Sequence, residues 1–122
     1  MKSLIITNNP LVEEKYENVL FIDGSVEETL IKVRDMVHQG YELISHPLAA
    51  SLRMMYSPYR SVILGKCQTK VDFLYAEIIE DSIIKYKRHT DHRKKDAANS
   101  DDYQKVDLIL LESALSEQQT TW

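Results

Sequence analysis

Short apolar runs alternate with helix-start signals along the first 45 residues, and no other feature of the sequence constrains the fold as much. Three of the runs have the length and the branched side chains of buried strands: residues 3–6, 19–22 and 41–45. A helix signal stands between each run and the next. Strands that alternate with helices at such short spacing imply right-handed crossovers and a parallel sheet with helices on its faces.

The helix signals are local and specific. Asn9 before Pro10 marks a helix start, because Asn accepts hydrogen bonds from free helix amides and Pro is preorganised for the first turn. Ser25 and Glu28 form a capping box, and Gly40 suits the left-handed residue that ends the helix. Two helices are therefore expected over residues 10–17 and 25–39.

The second half of the chain adds a fourth strand and two amphipathic helices. Residues 61–64 resume the strand pattern, and residues 71–86 keep apolar side chains at helical spacing. A last helix is expected to begin at Asp101, which forms a capping pair with Gln104. Its apolar face is expected to include Tyr103, Val106, Leu110 and Ala114, with Leu111 and Leu115 beside it.

These elements predict an α/β fold. It would be a small three-layer domain with a mainly parallel sheet of about four strands and about four helices. A chain of 122 residues fits a single domain over residues 1–122, in which residues 117–122 are expected to form a frayed tail.

Composition narrows the class of protein. Hydrophobic residues make up 43% of the chain and charged residues 28%, which is typical of a soluble globular protein. No apolar run approaches the roughly 20 residues of a membrane span, and the amino terminus lacks the apolar core of a secretory signal. Cys67 is the only cysteine, so no internal disulfide forms and a cytoplasmic location is expected.

A basic run stands between residues 85 and 95. It holds Lys85, Lys87, Arg88, Arg93, Lys94 and Lys95 against a single acidic residue. The run follows a predicted helix, where cations interact favourably with the helix dipole, and this favours a solvated helix end over a nucleic-acid site. His89 and His92 lie three residues apart, but two His without a third ligand do not make a metal site. We therefore predict no metal, no cofactor and no nucleic-acid partner.

The segment of residues 46–60 is the best candidate for a functional surface. Long loops inside compact domains are uncommon unless they bind something. The ligand crevice of an open α/β sheet lies outside the carboxyl ends of its strands, which brings this loop together with residues 7–10 and 23–25. The candidate ligand-binding residues at that edge are Asn8, Asn9, Asp23, Ser25, His46, Ser51, Arg53, Tyr59 and Arg60.

Two readings of these residues remain open. Asn8 and Asn9 either hold a carboxylate or phosphate at the helix start or simply cap the helix. Arg53 and Arg60 offer charge-assisted hydrogen bonds to an anion. His46 is either structural or a general acid or base, because its ordinary pKa suits proton transfer near neutrality. The loop also carries Met54, Met55 and Tyr56, which suit either a partner contact or the core.

Five segments carry a family resemblance: ITNNPLV, ETLIKVRDMVHQGYEL, SHPLAAS, PYRSVIL and KVDLILL. Together they resemble the GrdX family, small proteins encoded with glycine, sarcosine and betaine reductase components in amino-acid-fermenting anaerobes. The matching positions are Asn8, Asn9, Pro10, His46, Pro47, Leu48, Ser51, Pro58, Tyr59 and Ser61. Ala50 stands where the family pattern has Gly. The resemblance implies a cytoplasmic accessory protein of that pathway, with amino-acid reductase components as partners.

Two functional hypotheses follow. The first is a non-catalytic accessory protein whose strand-end loops bind a partner or a small carboxylate or phosphate ligand. The second is a small enzyme that acts on an anionic metabolite, with His46 as general acid or base. The two carboxyl-terminal helices also carry more apolar side chains than one buried stripe requires, including Phe73, Ile84 and Ile109. Either the two helices cover each other within one monomer or a second copy of the chain covers them, and we predict a homodimer built on those helices.

Overall fold

The structure is a computed structural model that describes residues 3–48, 54–90 and 100–120. The described residues form four α-helices, a four-stranded sheet and one short 3-10 helix. In chain order the elements are β1 (Leu4–Thr7), α1 (Pro10–Lys15), β2 (Val19–Phe21), α2 (Val26–His38), β3 (Tyr41–Leu43), the 3-10 helix (Met54–Tyr56), β4 (Ser61–Cys67), α3 (Phe73–Thr90) and α4 (Ser100–Thr120). The α/β class and the positions of the strands and helices agree with the sequence prediction.

The sheet is mixed, so the prediction of a mainly parallel sheet is wrong. The strand order is β2-β1-β4-β3. β1 and β2 are parallel, whereas β4 runs antiparallel to both β1 and β3. A parallel β4 would require a connection that crosses to the amino-terminal end of β3 before β4 begins. β4 instead begins beside the carboxyl-terminal end of β3 and runs between β1 and β3 in the opposite direction.

This topology gathers the predicted segments at one edge of the sheet. Thr7 at the end of β1 pairs with Ser61 at the start of β4. The carboxyl ends of β1, β2 and β3 therefore lie beside the start of β4. We call this side of the sheet the loop edge. The connections that follow β1, β2 and β3 all leave from it, and the third of them leads into β4 at the same side.

Alternate side chains of the strands enter two hydrophobic clusters. Ile6, Val62 and Leu64 pack in a cluster with residues of α2 and α3. Ile5 and Ile63 pack in a second cluster with residues of α1 and α4. Neighbouring residues of a strand point to opposite faces of a sheet, so the two clusters lie on opposite faces. Each fully buried aliphatic side chain contributes roughly 1.5–3 kcal/mol to folding.

The predicted helix signals act as expected at three positions. The side chain of Asn9 accepts a hydrogen bond from the backbone N–H of Leu11 and caps α1. Ser25 and Glu28 form the capping box of α2. Gly40 has a φ of 111°, a left-handed conformation that favours glycine. The prediction for Asp101 is wrong, because α4 begins at Ser100 and places Asp101 inside its first turn.

The carboxyl-terminal helix α4 runs to Thr120, and residues 121–122 lie outside the described residues. The frayed tail at 117–122 stays a prediction. No helix of the described part of the chain combines the length and the hydropathy that a bilayer crossing requires.

The helices α3 and α4 pack against opposite faces of the sheet, so they do not cover each other. Several large apolar side chains on these two helices stay exposed: Phe73, Leu74, Ile84, Val106, Ile109 and Leu110. The buried residues of α4 include Tyr103 and Leu111, which agree with the prediction, and also Asp107, which the prediction left out. Val106 and Leu110, predicted on the buried face, are 38% and 46% exposed.

Candidate functional site

The side chain of Asn8 joins three segments at the loop edge. Its Nδ2 donates to the backbone oxygens of Gly24 at 3.0 Å and of Pro58 at 2.8 Å. Its Oδ1 accepts from the backbone N–H of Arg60 at 2.9 Å. Both amide hydrogens are therefore used within the protein, and the side chain is only 5% exposed. In this structure Asn8 holds the loops together and has no hydrogen left for a ligand.

Asn9 connects the start of α1 to α4. Its Oδ1 accepts from the Leu11 N–H at 3.1 Å, which is the capping bond. Its Nδ2 donates to the backbone oxygen of Gln104 at 2.9 Å and to Oδ2 of Asp107 at 3.0 Å. The side chain is fully buried. The capping role that the sequence left open is therefore present, and the amide hydrogens reach α4 instead of a ligand.

Asp107 is the buried acidic residue of the site, and the sequence reasoning missed it. Its Oδ2 accepts from the Ser61 hydroxyl at 2.7 Å as well as from Asn9. Because Ser61 gives its hydroxyl hydrogen to Asp107, the hydroxyl of Thr7 donates to Ser61 Oγ across a distance of 2.7 Å. The available signal was an acidic residue, Asp107, four positions after Tyr103 on the same predicted helix. The apolar pattern instead predicts that Val106 and Leu110 form the buried face.

Burial determines the electrostatics of Asp107. Removal from water disfavours the charged carboxylate and raises its pKa. Hydrogen bonds from Asn9 and Ser61, together with the positive charge of Arg60, oppose this rise in pKa. Burial also lowers the pKa of the Arg60 guanidinium, and the charge of Asp107 opposes that change. The two groups therefore stabilise each other's charged forms.

Arg60 fixes the loop that precedes β4. Its Nη1 donates to the backbone oxygen of Pro47 at 3.1 Å, and its Nη2 donates to that of Met54 at 3.2 Å. The residue is 5% exposed. These bonds connect the two described ends of the loop on either side of residues 49–53. The predicted anion contact of Arg60 stays a prediction, because the recorded bonds go to backbone carbonyls.

His46 is exposed and stands at the start of the same loop. Its Nδ1 lies 3.1 Å from the backbone N–H of Leu48 and accepts its hydrogen. A neutral imidazole that accepts at Nδ1 carries its proton on Nε2. Nε2 then has no free lone pair for a general base, and protonation of Nδ1 would break the bond to Leu48. This arrangement favours a structural role for His46 over a catalytic one.

Tyr59 ties the loop to the start of α4. Its hydroxyl is within hydrogen-bond distance of Ser100 Oγ at 2.8 Å and accepts from Gln104 Nε2 at 2.8 Å. Gln104 was predicted to cap α4, but its side chain reaches the loop instead.

The remaining predicted residues separate into four groups. Ser25 serves in the capping box of α2, and Asp23 is exposed in the turn before it. Met55 is 4% exposed and belongs to the core, so it offers no surface to a partner. Met54 and Tyr56 are half-buried. Two predicted residues lie outside the described residues, namely Ser51 and Arg53.

A cavity of about 230 Å³ lies at the loop edge between the loop, the start of β4 and α4. Its polar wall includes Ser45, His46, Tyr59, Arg60, Ser61 and Asp107. Its apolar wall includes Leu48, Met54, Leu110, Leu111 and Ala114. Ligand sites in proteins usually combine such an apolar lining with a few placed polar groups. The volume lies below the range of about 300–1,000 Å³ for drug-sized ligands, so the cavity suits a small molecule.

Comparison with known proteins gives one match. A family model described as GrdX-like protein matches residues 4–116. No curated protein sequence and no solved structure matches the chain significantly. The matched range contains every described residue of the cavity wall.

Proposed function

Because the chain belongs to the GrdX-like protein family, we propose that it is a cytoplasmic accessory protein of amino-acid reduction that binds a small ligand without transforming it. The reductase context comes from the family resemblance, and the proposed macromolecular partners are the amino-acid reductase components. The proposal takes the domain as three layers, with the ligand at the loop edge of the middle one.

One observation carries the ligand-binding part of the proposal. The cavity at the loop edge is lined by three different parts of the fold, and two oppositely charged residues, Arg60 and Asp107, stand on its walls while almost fully buried. Buried charges are expensive unless they are paired or hydrogen-bonded. A site that keeps both charges beside a small cavity supports recognition of a polar ligand.

The hydrogen bonds of the edge support binding over catalysis. Hydrogen bonds within the protein engage the side chains of Asn8, Asn9 and Arg60, and Nδ1 of His46 accepts a backbone hydrogen. These contacts build a rigid frame around the cavity. None of these four hydrogen bonds joins a nucleophile to a base.

Filling the cavity tests the proposal. Leu110 lines the cavity and is 46% exposed, so Leu110→Trp adds bulk there without disturbing a fully buried position. Ile109 is 61% exposed and does not line the cavity, which makes Ile109→Trp the matched control on the same helix. Wild-type protein and both variants are screened by thermal shift against glycine, sarcosine, betaine, acetyl phosphate and nucleotides.

We expect one of these compounds to stabilise the wild type and Ile109→Trp but not Leu110→Trp. A ligand at 100 times its dissociation constant adds about 2.7 kcal/mol to the free energy of unfolding, which is a measurable shift. An equal shift in Leu110→Trp would place binding elsewhere and contradict the cavity as the site. Conversion of a compound to product by the wild type would contradict the non-catalytic part of the proposal.

The partner part of the proposal needs its own experiment. Met54 and Tyr56 are half-buried on the loop and suit a protein contact. Purified glycine reductase components are passed over immobilised wild type and over a Met54→Ser, Tyr56→Ser variant. We expect retention by the wild type and weaker retention by the variant, with Ile109→Trp as a control for a change outside the loop.

A further inference from the structure

We propose that the ligand of the cavity carries a protonated amine, which binds at the carboxylate of Asp107. This inference rests on the proposed binding function and names the chemical class of its ligand. It replaces the anionic ligand that the sequence suggested, because the acidic residue on the cavity wall came only with the structure.

The direct contacts of the Asp107 carboxylate leave its charge without an ion pair. Its hydrogen bonds come from the amide of Asn9 and the hydroxyl of Ser61, which are neutral donors. Among the salt bridges of the described residues, none joins Asp107 to Arg60. The nitrogen atoms of Arg60 therefore lie more than 4.0 Å from the Asp107 carboxylate oxygens. Arg60 therefore acts on Asp107 only at a longer distance.

The recorded bonds of Arg60 hold its guanidinium to the loop. Nη1 donates to Pro47 and Nη2 donates to Met54. A direct pair with Asp107 would require a guanidinium nitrogen to approach the carboxylate, and these bonds oppose such a movement. The carboxylate thus remains the group on the cavity wall with most to gain from a cationic partner, since a buried carboxylate is stabilised by a nearby opposite charge.

The remaining lining sets the rest of the ligand. Leu48, Met54, Leu110, Leu111 and Ala114 form an apolar wall, and the cavity has a volume of about 230 Å³. A short carbon chain would contact this wall while its ammonium group donates hydrogen bonds to Asp107. The ligand class is therefore a small organic ammonium ion with a short apolar portion.

Three probes of similar size separate the charge of the ligand from its shape. They are propylammonium chloride, 1-propanol and sodium butyrate, titrated at constant ionic strength into the full-length protein and followed by NMR chemical shifts. We expect propylammonium to bind most tightly and to move the resonances of the cavity residues. Butyrate should bind least, because Asp107 repels its carboxylate.

The variant Asp107→Asn keeps an oxygen acceptor for Asn9 and Ser61 but removes the charge. We expect its affinity for propylammonium to fall by at least about tenfold, the loss typical of one hydrogen bond to a charged group. Its affinity for 1-propanol should stay within about twofold on the same scale. Leu110→Trp should abolish binding of propylammonium while leaving Asp107 in place. If Asp107→Asn does not fold, the order of the three probe affinities in the wild type decides the question.

The outcomes separate the inference from the function on which it rests. If 1-propanol or butyrate binds the wild type as tightly as propylammonium, or if none of the three binds, the ammonium class is wrong. If a metabolite still stabilises the wild type but not Leu110→Trp, the proposed function survives that failure. If no compound distinguishes Leu110→Trp from Ile109→Trp, the proposed function fails as well.

Discussion

The polar residues at the loop edge show how single side chains connect distant parts of the chain. The Oδ1 of Asn8 accepts from Arg60, which lies 52 positions further along, and the Nδ2 of Asn9 donates to Asp107, 98 positions further along. These two buried side chains find hydrogen-bond partners across the fold, as buried polar groups generally find a partner. Residues of this kind look like ligand contacts in a sequence because the same atoms serve both purposes.

Asn8→Ala should destabilise the domain. The substitution leaves two backbone carbonyls and the N–H of Arg60 without their partner at a site that is 5% exposed. A buried polar group that loses its partner costs about 1–3 kcal/mol, so we expect a loss of at least that size in urea unfolding.

The control for this prediction is Asn18→Ala, because Asn18 is exposed. A surface substitution usually changes the free energy of unfolding by less than about 0.5 kcal/mol. Similar losses in the two variants would show that Asn8 does not join the segments.

Asp107 should make stability depend on pH in a defined direction. Its folded pKa is raised above the ordinary value of 3.8, so the folded state binds its proton more tightly than the unfolded state does. The contribution of this group to stability is fully present below the unfolded pKa and is lost as pH rises through the folded pKa. The wild type should therefore gain stability relative to Asp107→Asn as pH falls from neutrality towards 4.

Urea unfolding of both proteins at a series of pH values tests this prediction. The difference between the two free energies of unfolding cancels the titration of groups that the variant shares with the wild type. A difference that stays constant, or one that moves against the wild type at lower pH, would contradict the raised pKa.

His46→Asn separates the structural role of His46 from the catalytic one. An Asn side chain can accept the Leu48 N–H as the imidazole does, but it cannot exchange a proton near neutrality. We expect the melting temperature to change little and the ligand-induced thermal shift to persist. Turnover of any screened metabolite by the wild type, with loss of that turnover in His46→Asn, would instead support the enzyme hypothesis.

At the scale of elements, α4 is attached to the rest of the domain by polar contacts as well as by its side chains in the second hydrophobic cluster. Tyr59 holds its first turns, Asn9 and Ser61 hold Asp107, and Lys15 forms a salt bridge with Glu112. The bond between Lys15 and Glu112 raises the pKa of Lys15, but both side chains are well exposed and such pairs add little stability. The contacts near the cavity therefore matter more for the position of α4.

Tyr59→Phe should loosen the start of α4. The substitution removes the hydroxyl that contacts Ser100 and Gln104 while keeping the ring. We expect a loss of about 0.5–1.5 kcal/mol and faster hydrogen exchange in the first turns of α4, since the lost bonds are local to that end.

The control for this prediction is Tyr41→Phe on the edge strand β3, which also removes a tyrosine hydroxyl. In the described part of the chain, the Tyr41 hydroxyl makes no hydrogen bond to α4, unlike that of Tyr59. Exchange rates at the start of α4 that stay unchanged in Tyr59→Phe would show that the hydrophobic contacts of α4 suffice to hold it.

At the scale of the whole molecule, the predicted homodimer meets a geometric constraint. The exposed apolar side chains of α3 and α4 stand on helices that pack against opposite faces of the sheet. A single two-fold interface would therefore be formed mainly by the same helix, either α3 or α4, of each copy. Phe73 and Leu74 are adjacent at the start of α3, are 85% and 62% exposed and do not line the cavity, so they would form the patch.

Light scattering at micromolar concentration tests the dimer. We expect a mass of twice the 14.2 kDa chain mass for the wild type and a shift towards the single chain mass for Phe73→Lys, which places a charge in the patch. Ile109→Lys on α4 is the matched control, because Ile109 is 61% exposed on the other face. A wild-type mass near 14.2 kDa would remove the dimer.

Local sequence patterns predicted the positions of the four strands and the four α-helices, whereas the 3-10 helix at Met54–Tyr56 was not expected. The signals that carried this information are local, since Asn9 caps the next residues and Ser25 pairs with Glu28 within one turn. The same reasoning grouped the strand-end segments at one edge, because the connections that follow the first three strands leave from the same side. Local chemistry survives folding unchanged, so these predictions did not depend on the rest of the chain.

Three features depend on contacts between distant parts of the chain: the direction of β4, the burial of Asp107 and the hydrogen bonds of Asn8 and Asn9. The direction of β4 depends on which edge the loop of residues 46–60 returns to, and nothing in its local pattern specifies that edge. Asp107 is buried because Asn9 and Ser61 offer it donors from elements far away in sequence. Long-range pairing of polar groups is settled by the packing of whole elements, and a sequence pattern read segment by segment does not contain it.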